Sequence, residues 1–378
     1  MLADLGADVI KIENLTGDTW RNYLATSKTE WTPAENPLWE MYNMNKRTVS
    51  LNLREAEGKE VLLKLLAEAD VFITNNHPRA LKAMGIDYDS IKEKFPSLVY
   101  ALVTAYGQEG PDRNDPGFDA VAFWGRTGML IDLAEPNGNP VTTSSSIGDC
   151  ITGMALFGGI CSALYSRSRT EKGDFVEVSL YGTAIWSCAT MMALTEDVYG
   201  NSYPKTRTDG CPYSSSYRSK DGVWFIITIL DYNRFFKPLC EVMGAPELAQ
   251  DPRYKDAAGA MAHRKELFAE FDRIFGSFDF AEVEKRLKSV DLVFNRMRHF
   301  SEMSKDPQAF ANDFVREFSF DSGRSFVTAL PPIHSRNSGA SEIKRAGHLG
   351  EHTATVLKEL GYSDEKIEDM AKDRVIRT

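Results

Sequence analysis

An α/β fold built on a parallel sheet, joined to a second domain of α+β type, is what this sequence predicts. Short apolar runs alternate with helical patterns through the first hundred residues, as successive βαβ units do. The composition then shifts to Pro, Ser, Thr and Tyr from Tyr203 to Ser219, which marks a change of domain. A late apolar run, Phe326 to Ile333, is followed by two amphipathic helical patterns and reads as a return to the first domain.

Taken in order, Met1 to Gly6 reads as the last turns of a helix closed by glycine. The chain is therefore expected to open inside a βα unit whose first strand and most of whose helix are missing. Val9 to Ile12 is a strand, Glu55 to Glu68 a helix, Val71 to Thr74 a strand, Tyr88 to Lys94 a helix and Leu98 to Val103 a strand. Ile151 to Tyr165 is an apolar, small-residue helix. Thr170 to Asp174 turns the chain into a strand over Phe175 to Leu180, and a second apolar helix runs through Met192. Beyond the polar segment come a strand, Val223 to Ile229, and helices such as His263 to Phe275. The last two helices are Leu349 to Gly361 and Asp364 to Asp373. The expected domains are a large domain over 1–200, a small domain over 201–325 and a C-terminal return over 326–378.

With 378 residues, 43% of them hydrophobic, the chain can fill the cores of two domains. A formal charge of -10 and a pI near 5.3 argue against a general nucleic-acid surface. Five scattered cysteines, Cys150, Cys161, Cys188, Cys211 and Cys240, give neither a disulfide framework nor a zinc spacing, and imply reduced thiols in the cytoplasm. No apolar stretch is read as reaching the roughly 20 residues of a membrane span, and the acidic N-terminus does not read as a signal peptide. Neither a dinucleotide nor a phosphate-loop glycine fingerprint follows any strand, which leaves a nicotinamide dehydrogenase as a weak alternative. His348 and His352, four apart, have no neighbouring carboxylate or cysteine cluster, so a helix-start role is expected and no metal. The serine runs Ser144 to Ser146 and Ser214 to Ser216 lack a nucleophile elbow.

Asp149 is the candidate for chemistry. It stands between a polar run and the apolar helix, where an N-cap belongs, and both the backbone N–H groups and the helix dipole there favour the ionised carboxylate. Such an acid is either a cap or a nucleophile, and its own neighbourhood does not decide between them. The small residues Gly153, Gly158 and Gly159 would let this helix approach the site closely.

Several stretches together say more. Leu2 to Glu13 with Gly17-Asp18 and Arg21, Asn45-Lys46-Arg47 before Ser50 to Leu53, Ala69-Asp70-Val71 with Asn75, Tyr106-Gly107, and Pro116-Gly117-Phe118-Asp119 are the first group. Gly148-Asp149 with Gly153-Met154, Thr170 to Gly173, and Leu349 to Thr353 follow. In order and spacing, over essentially the whole chain, they resemble the family III CoA-transferases of CaiB/BaiF type. The resemblance implies a Rossmann-like large domain, an interlocked homodimer, coenzyme A as a substrate and no tightly bound cofactor.

It also implies that Asp149 attacks an acyl-CoA thioester to give a mixed anhydride, and that CoA then passes through an aspartyl thioester to an acceptor acid. Leu51, Arg54, Asn75 and Met84 match CoA-contacting positions, with Lys82 one step from a position often basic in relatives. Asn14 stands where some members carry a phosphate-binding arginine. Asp119 matches a second carboxylate near the reacting centre, while a turn or cap role is equally open to it. Phe118 stands where related acyl-CoA racemases have a histidine base, so transfer is preferred to racemisation. A non-catalytic CoA-binding protein is the remaining rival, and the retained Asp149 argues against it. The segments Phe118 to Gly128, Tyr199 to Pro204 and Leu230 to Asn233 look most like the branch that exchanges CoA between 2-enoyl-CoAs and (R)-2-hydroxy acids. In place of the glycine-rich lid of oxalate-using members stand Cys211 to Tyr217, whose aromatics suit either a larger acyl pocket or the core.

Overall fold

The structure is a computed structural model that describes residues 1–26, 35–143, 146–337 and 342–378. Ser144 and Ser145 of the first serine run lie outside the described residues. The chain divides into two compact units. One comprises Met1–Phe123, Ser146–Ala184 and Ser304–Thr378, and the other Trp124–Ser145 and Ile185–Met303.

The first unit is α/β with parallel pairing, as expected, but its strands lie in separate small sheets. In one, β1 (Val9–Glu13) runs parallel to β2 (Lys46–Leu51), and β11 (Ile376–Arg377) pairs antiparallel with β2. In another, β3 (Val71–Thr74), β4 (Val99–Thr104) and β5 (Phe175–Ser179) are all parallel. An antiparallel pair, β9 (Val315–Ser319) with β10 (Ser325–Ala329), forms a third. Helix α1 (Pro37–Asn43) precedes β2, α2 (Ala56–Glu68) links β2 to β3, and α3 (Pro78–Met84) with α4 (Tyr88–Ile91) links β3 to β4. At the chain start Gly6 takes φ 103° and returns its N–H to Ala3 O, the expected glycine stop on a short 3-10 turn.

Strand β2 escapes a hydropathy reading because Thr48 and Ser50 alternate with Val49 and Leu51, yet all four are buried. The Ser50 hydroxyl donates to Asn14 O at 3.1 Å, and the other polar groups are met from the far end of the chain. Thr48 Oγ1 donates to His348 O at 2.6 Å, Thr48 N–H to His352 Nδ1 at 3.1 Å, and Ser50 N–H to Thr353 Oγ1 at 3.1 Å. His352 thus ties the C-terminal segment to the sheet. Val49, Leu51 and Val61 complete one core with Val356, Leu357, Ile367, Met370 and Ile376.

The segment that enters the Thr353–Glu359 helix is held by an ion pair. Arg345 grips Glu351 through both guanidinium ends at 2.8 and 2.7 Å, and Glu351 accepts the His348 N–H at 2.7 Å. The guanidinium is the main cause that holds the Glu351 pKa down to about 2. A depressed carboxylate contributes stability that is present above its unfolded pKa and lost as pH falls through the folded one. Glu351→Gln is therefore expected to lower the melting temperature at pH 7, with the gap to wild type closing as the pH falls from about 4.5 towards 2. A gap that stays constant in acid would show that the pair carries no such linkage.

The second unit has an antiparallel sheet, β6 (Ser216–Arg218), β7 (Trp224–Thr228) and β8 (Val293–Arg296), covered by helices. Its core is aromatic: Tyr217, Phe225, Phe236, Tyr254, Phe268, Phe271 and Phe275 are all nearly inaccessible. Tyr217 and Tyr213, from the aromatic stretch considered for an acyl pocket, pack in or against this core. The Tyr217 hydroxyl donates to Pro212 O.

Candidate active site

Helix α5 (Met129–Asp132) belongs to the second unit, and α6 (Ile147–Thr170) to the first. Along α6, Gly148, Thr152, Leu156, Ile160 and Ala163 form one buried stripe at helical spacing, seated on β4 and β5. By length and composition this helix is apolar enough to cross a bilayer, a correction to the reading of no such stretch; within this chain it lies on β4 and β5 along its one buried stripe. Of the three glycines expected to allow close approach, Gly159 does so, since a Cβ there would lie 2.7 Å from Val176 Cγ1. Gly153 and Gly158 face open space within this chain.

The far end of α6 is pinned. Arg167 donates to the backbone oxygens of Asp70 and Ser97 at 3.2 and 3.1 Å and pairs with the Asp70 carboxylate at 2.7 Å. Asp70 and Ser97 lie just before β3 and β4, so the C-terminus of α6 sits at the start of the parallel strands. Its first turn consequently lies at their carboxyl ends, the edge where open α/β sheets hold ligands.

Asp149 is the third residue of α6, inside the first turn; the cap position belongs to Ser146, with φ 69° and no side-chain cap bond. The apolar pattern starts at Ile151, whereas the helix begins at Ile147, and this displaces Asp149 from the expected cap. Gly148 seats this turn. A Cβ on Gly148 would lie 2.4 Å from both Asp119 Oδ1 and Phe123 Cγ, so only glycine lets the turn settle on them. Asp119, 8% exposed, opens a π-helical stretch, Asp119–Gly125.

The two candidate carboxylates are thus brought together. Desolvation by the surrounding chain, and secondly the Asp119 charge, raise the Asp149 pKa above the ordinary carboxylate value. This reverses the electrostatic direction expected from the helix terminus alone. The Asp149 side chain nevertheless keeps access to solvent. Tyr42 and Cys150, which no local sequence signal singles out, complete the surroundings: the Tyr42 hydroxyl is 3.9 Å from Cys150 Sγ.

The positions matched to CoA contacts are spread over the same unit. The Leu51 side chain is 1% exposed and belongs to the core, so a ligand would meet only its backbone. Arg54 is exposed between β2 and α2, with its N–H on Asn52 Oδ1 at 3.2 Å. Asn75 is exposed immediately after β3, at the carboxyl edge that holds the first turn of α6. Lys82 is exposed in the last turn of α3, and Met84 is half-buried at its end against a core of Leu62, Leu81 and Ile86. Asn14 folds its carboxamide onto its own turn, accepting from Thr16 N–H at 2.8 Å. Among the described residues no group of His, Cys, Asp and Glu could hold a metal ion.

The profile of CoA-transferase family III matches residues 1–353. This chain belongs to that family. As a CoA-transferase it is an enzyme that uses coenzyme A esters and carboxylic acids as substrates. It is 37% identical over 378 residues to the (R)-2-hydroxy-4-methylpentanoate CoA-transferase of Clostridioides difficile, which spans all of this chain and 94% of that one. It is 33% identical over 377 residues to the cinnamoyl-CoA:phenyllactate CoA-transferase of Clostridium sporogenes, covering 99% of this chain and 92% of the relative. A crystal structure of a CaiB/BaiF family protein from Brucella suis superposes with a TM-score of 0.79 at 27% identity, over 95% of this chain and 93% of that one.

Proposed function

We propose that this CoA-transferase moves CoA between a 2-enoyl-CoA and an (R)-2-hydroxy acid, with Asp149 as the acyl-carrying nucleophile. The observation that carries the proposal is the contact of Asp119 with the Asp149 turn, at the carboxyl edge of a parallel sheet, in a member of this family. The names of the hydroxy-acid relatives support the substrate class.

In the first step an Asp149 oxygen attacks the thioester carbon. The C–S bond breaks and the electron pair leaves on the CoA thiolate, giving a mixed anhydride. The thiolate then attacks the Asp149 carbonyl and releases the donor carboxylate, which leaves an aspartyl-CoA thioester. The acceptor carboxylate repeats the sequence in reverse and departs as its CoA ester, with the Asp149 carboxylate restored. No proton is consumed. Backbone N–H groups of the first turn are suited to steady the oxyanions.

Asp119 gives the first step a driving force. Two neighbouring carboxylates repel one another, and acylation of Asp149 removes one of the two charges. The same repulsion makes Asp149 more basic and a better nucleophile once ionised. Since Asp149 must be ionised to attack, activity is lost as pH falls through its raised pKa, at higher pH than for an ordinary carboxylate. Asp119→Asn removes the like charge, so the acid limb of kcat/KM is expected to move to lower pH while acylation slows. An acid limb that does not move would dismiss the coupling.

A homodimer is part of the proposal. Phe118 is 80% exposed, and Ile151, Met154 and Tyr165 of α6 are exposed beside the open space at Gly153 and Gly158, an apolar face that a second copy would cover. The decisive experiment incubates the protein with a mixed pool of acyl-CoAs, traps it with hydroxylamine or borohydride, and locates the label by mass spectrometry. A label on Asp149 supports the mechanism and names the acyl group. If no thioester donor ever labels Asp149, the mechanism is wrong.

A further inference from the structure

The phenol of Tyr42 meets the nucleophile's turn from a separate element. Its oxygen is 3.9 Å from Cys150 Sγ, within the longer reach of sulfur. Ser146 and Cys150 bracket the nucleophile, one at the cap of α6 and the other directly after Asp149. The phenol itself is well fixed. Its ring stands edge-on to Trp20 at 5.5 Å, its backbone oxygen accepts Lys46 Nζ at 2.7 Å, and α1 is capped by Asn36 through the N–H groups of Leu38 and Trp39. Burial, foremost, raises the Tyr42 pKa, with the charge of Asp149 acting the same way, so the hydroxyl keeps its proton.

The turn needs such a hold. Ser146 has a left-handed backbone, φ 69°, which is costly for a residue with a Cβ and persists only where the surroundings impose it. We infer that Tyr42 is a positioning residue for transfer: by its contact with Cys150, the residue directly after Asp149, it holds the first turn of α6 so that the Asp149 carboxylate is presented to the thioester. This rests on the reading of Asp149 as the acyl carrier. Tyr42 touches the turn and not the reacting carbon, so its effect falls on presentation of the nucleophile and not on CoA affinity.

The test uses the full chain and two substitutions. Tyr42→Phe keeps the ring and its Trp20 contact and removes only the hydroxyl. The expected result is a fall in kcat of roughly three- to tenfold, the scale of one lost hydrogen bond, with KM for the acyl-CoA unchanged. Cys150→Ala should also lower kcat, and the double variant should lose less than the product of the two single losses, because both changes break one contact. Cys150→Ser, which keeps a hydrogen-bonding group, should retain more activity than Cys150→Ala. A purely structural ring predicts the opposite: Tyr42→Phe at the wild-type rate, a result that overturns the inference, as does a double variant whose losses multiply. Labelling of the wild-type chain on Asp149 is measured alongside. Its absence removes the nucleophile reading and this inference together, whereas a labelled wild type with an indifferent Tyr42→Phe removes only the inference.

Discussion

Replacement of Asp149 by alanine is expected to abolish transfer, with kcat falling by about 10⁴-fold or more, the scale of losing a covalent nucleophile. The reason is stoichiometric as well as electrostatic. In the proposed mechanism each turnover needs a carboxylate that is acylated and then restored, and the alanine methyl offers none. The fold should survive. Asp149 is the third residue of α6 and is solvent-accessible, and the turn starts at Ser146 and is seated through Gly148, neither of which the substitution touches. Removing the carboxylate also relieves its repulsion with Asp119, so the melting temperature should be equal or slightly higher. Steady-state transfer, thermal melting and acyl-CoA binding measured on one preparation check all three points. Binding retained with transfer lost assigns the residue to chemistry; near wild-type transfer would pass the role to another group.

Much of the fold was readable because the relevant signals are local. Strands β1, β3, β4 and β5 are short apolar runs of expected position, and the glycine stop at Gly6 forms as predicted. Strand β2 was not readable, because its buried Thr48 and Ser50 look solvent-facing until His348, His352 and Thr353 arrive from the other end of the chain. For the site, the sequence marks Asp149 as an acid near a helix mouth, and the structure moves it from the cap into the turn. The sense of its pKa shift was beyond a sequence reading, since it depends on Asp119 being folded against Gly148 from a separate stretch. Tyr42 was equally hidden: nothing in Trp39 to Asn43 announces that its phenol reaches Cys150.

Gly148→Ala is expected to cost about a hundredfold in kcat/KM, as displacements of about an ångström at a reacting group do. The added methyl would stand 2.4 Å from Asp119 Oδ1 and from Phe123 Cγ, closer than carbon approaches either atom, so something must move. Phe123 is 2% exposed and Asp119 8%, so neither side chain can swing into solvent without opening the core. The turn is the softer partner: it carries the strained Ser146, has no side-chain cap bond, and is held from outside by the long Tyr42–Cys150 contact. It therefore lifts and takes Asp149 with it, away from Asp119. One sign distinguishes this from general destabilisation. The acid limb of kcat/KM should move to lower pH, because separating the carboxylates weakens the repulsion that raises the Asp149 pKa. Overpacking should also lower the melting temperature, by about 1–3 kcal/mol of stability. Loss of stability with wild-type activity and an unmoved acid limb would mean that Asp119 or Phe123 yields instead, and that the contact at Gly148 does not set the position of the nucleophile.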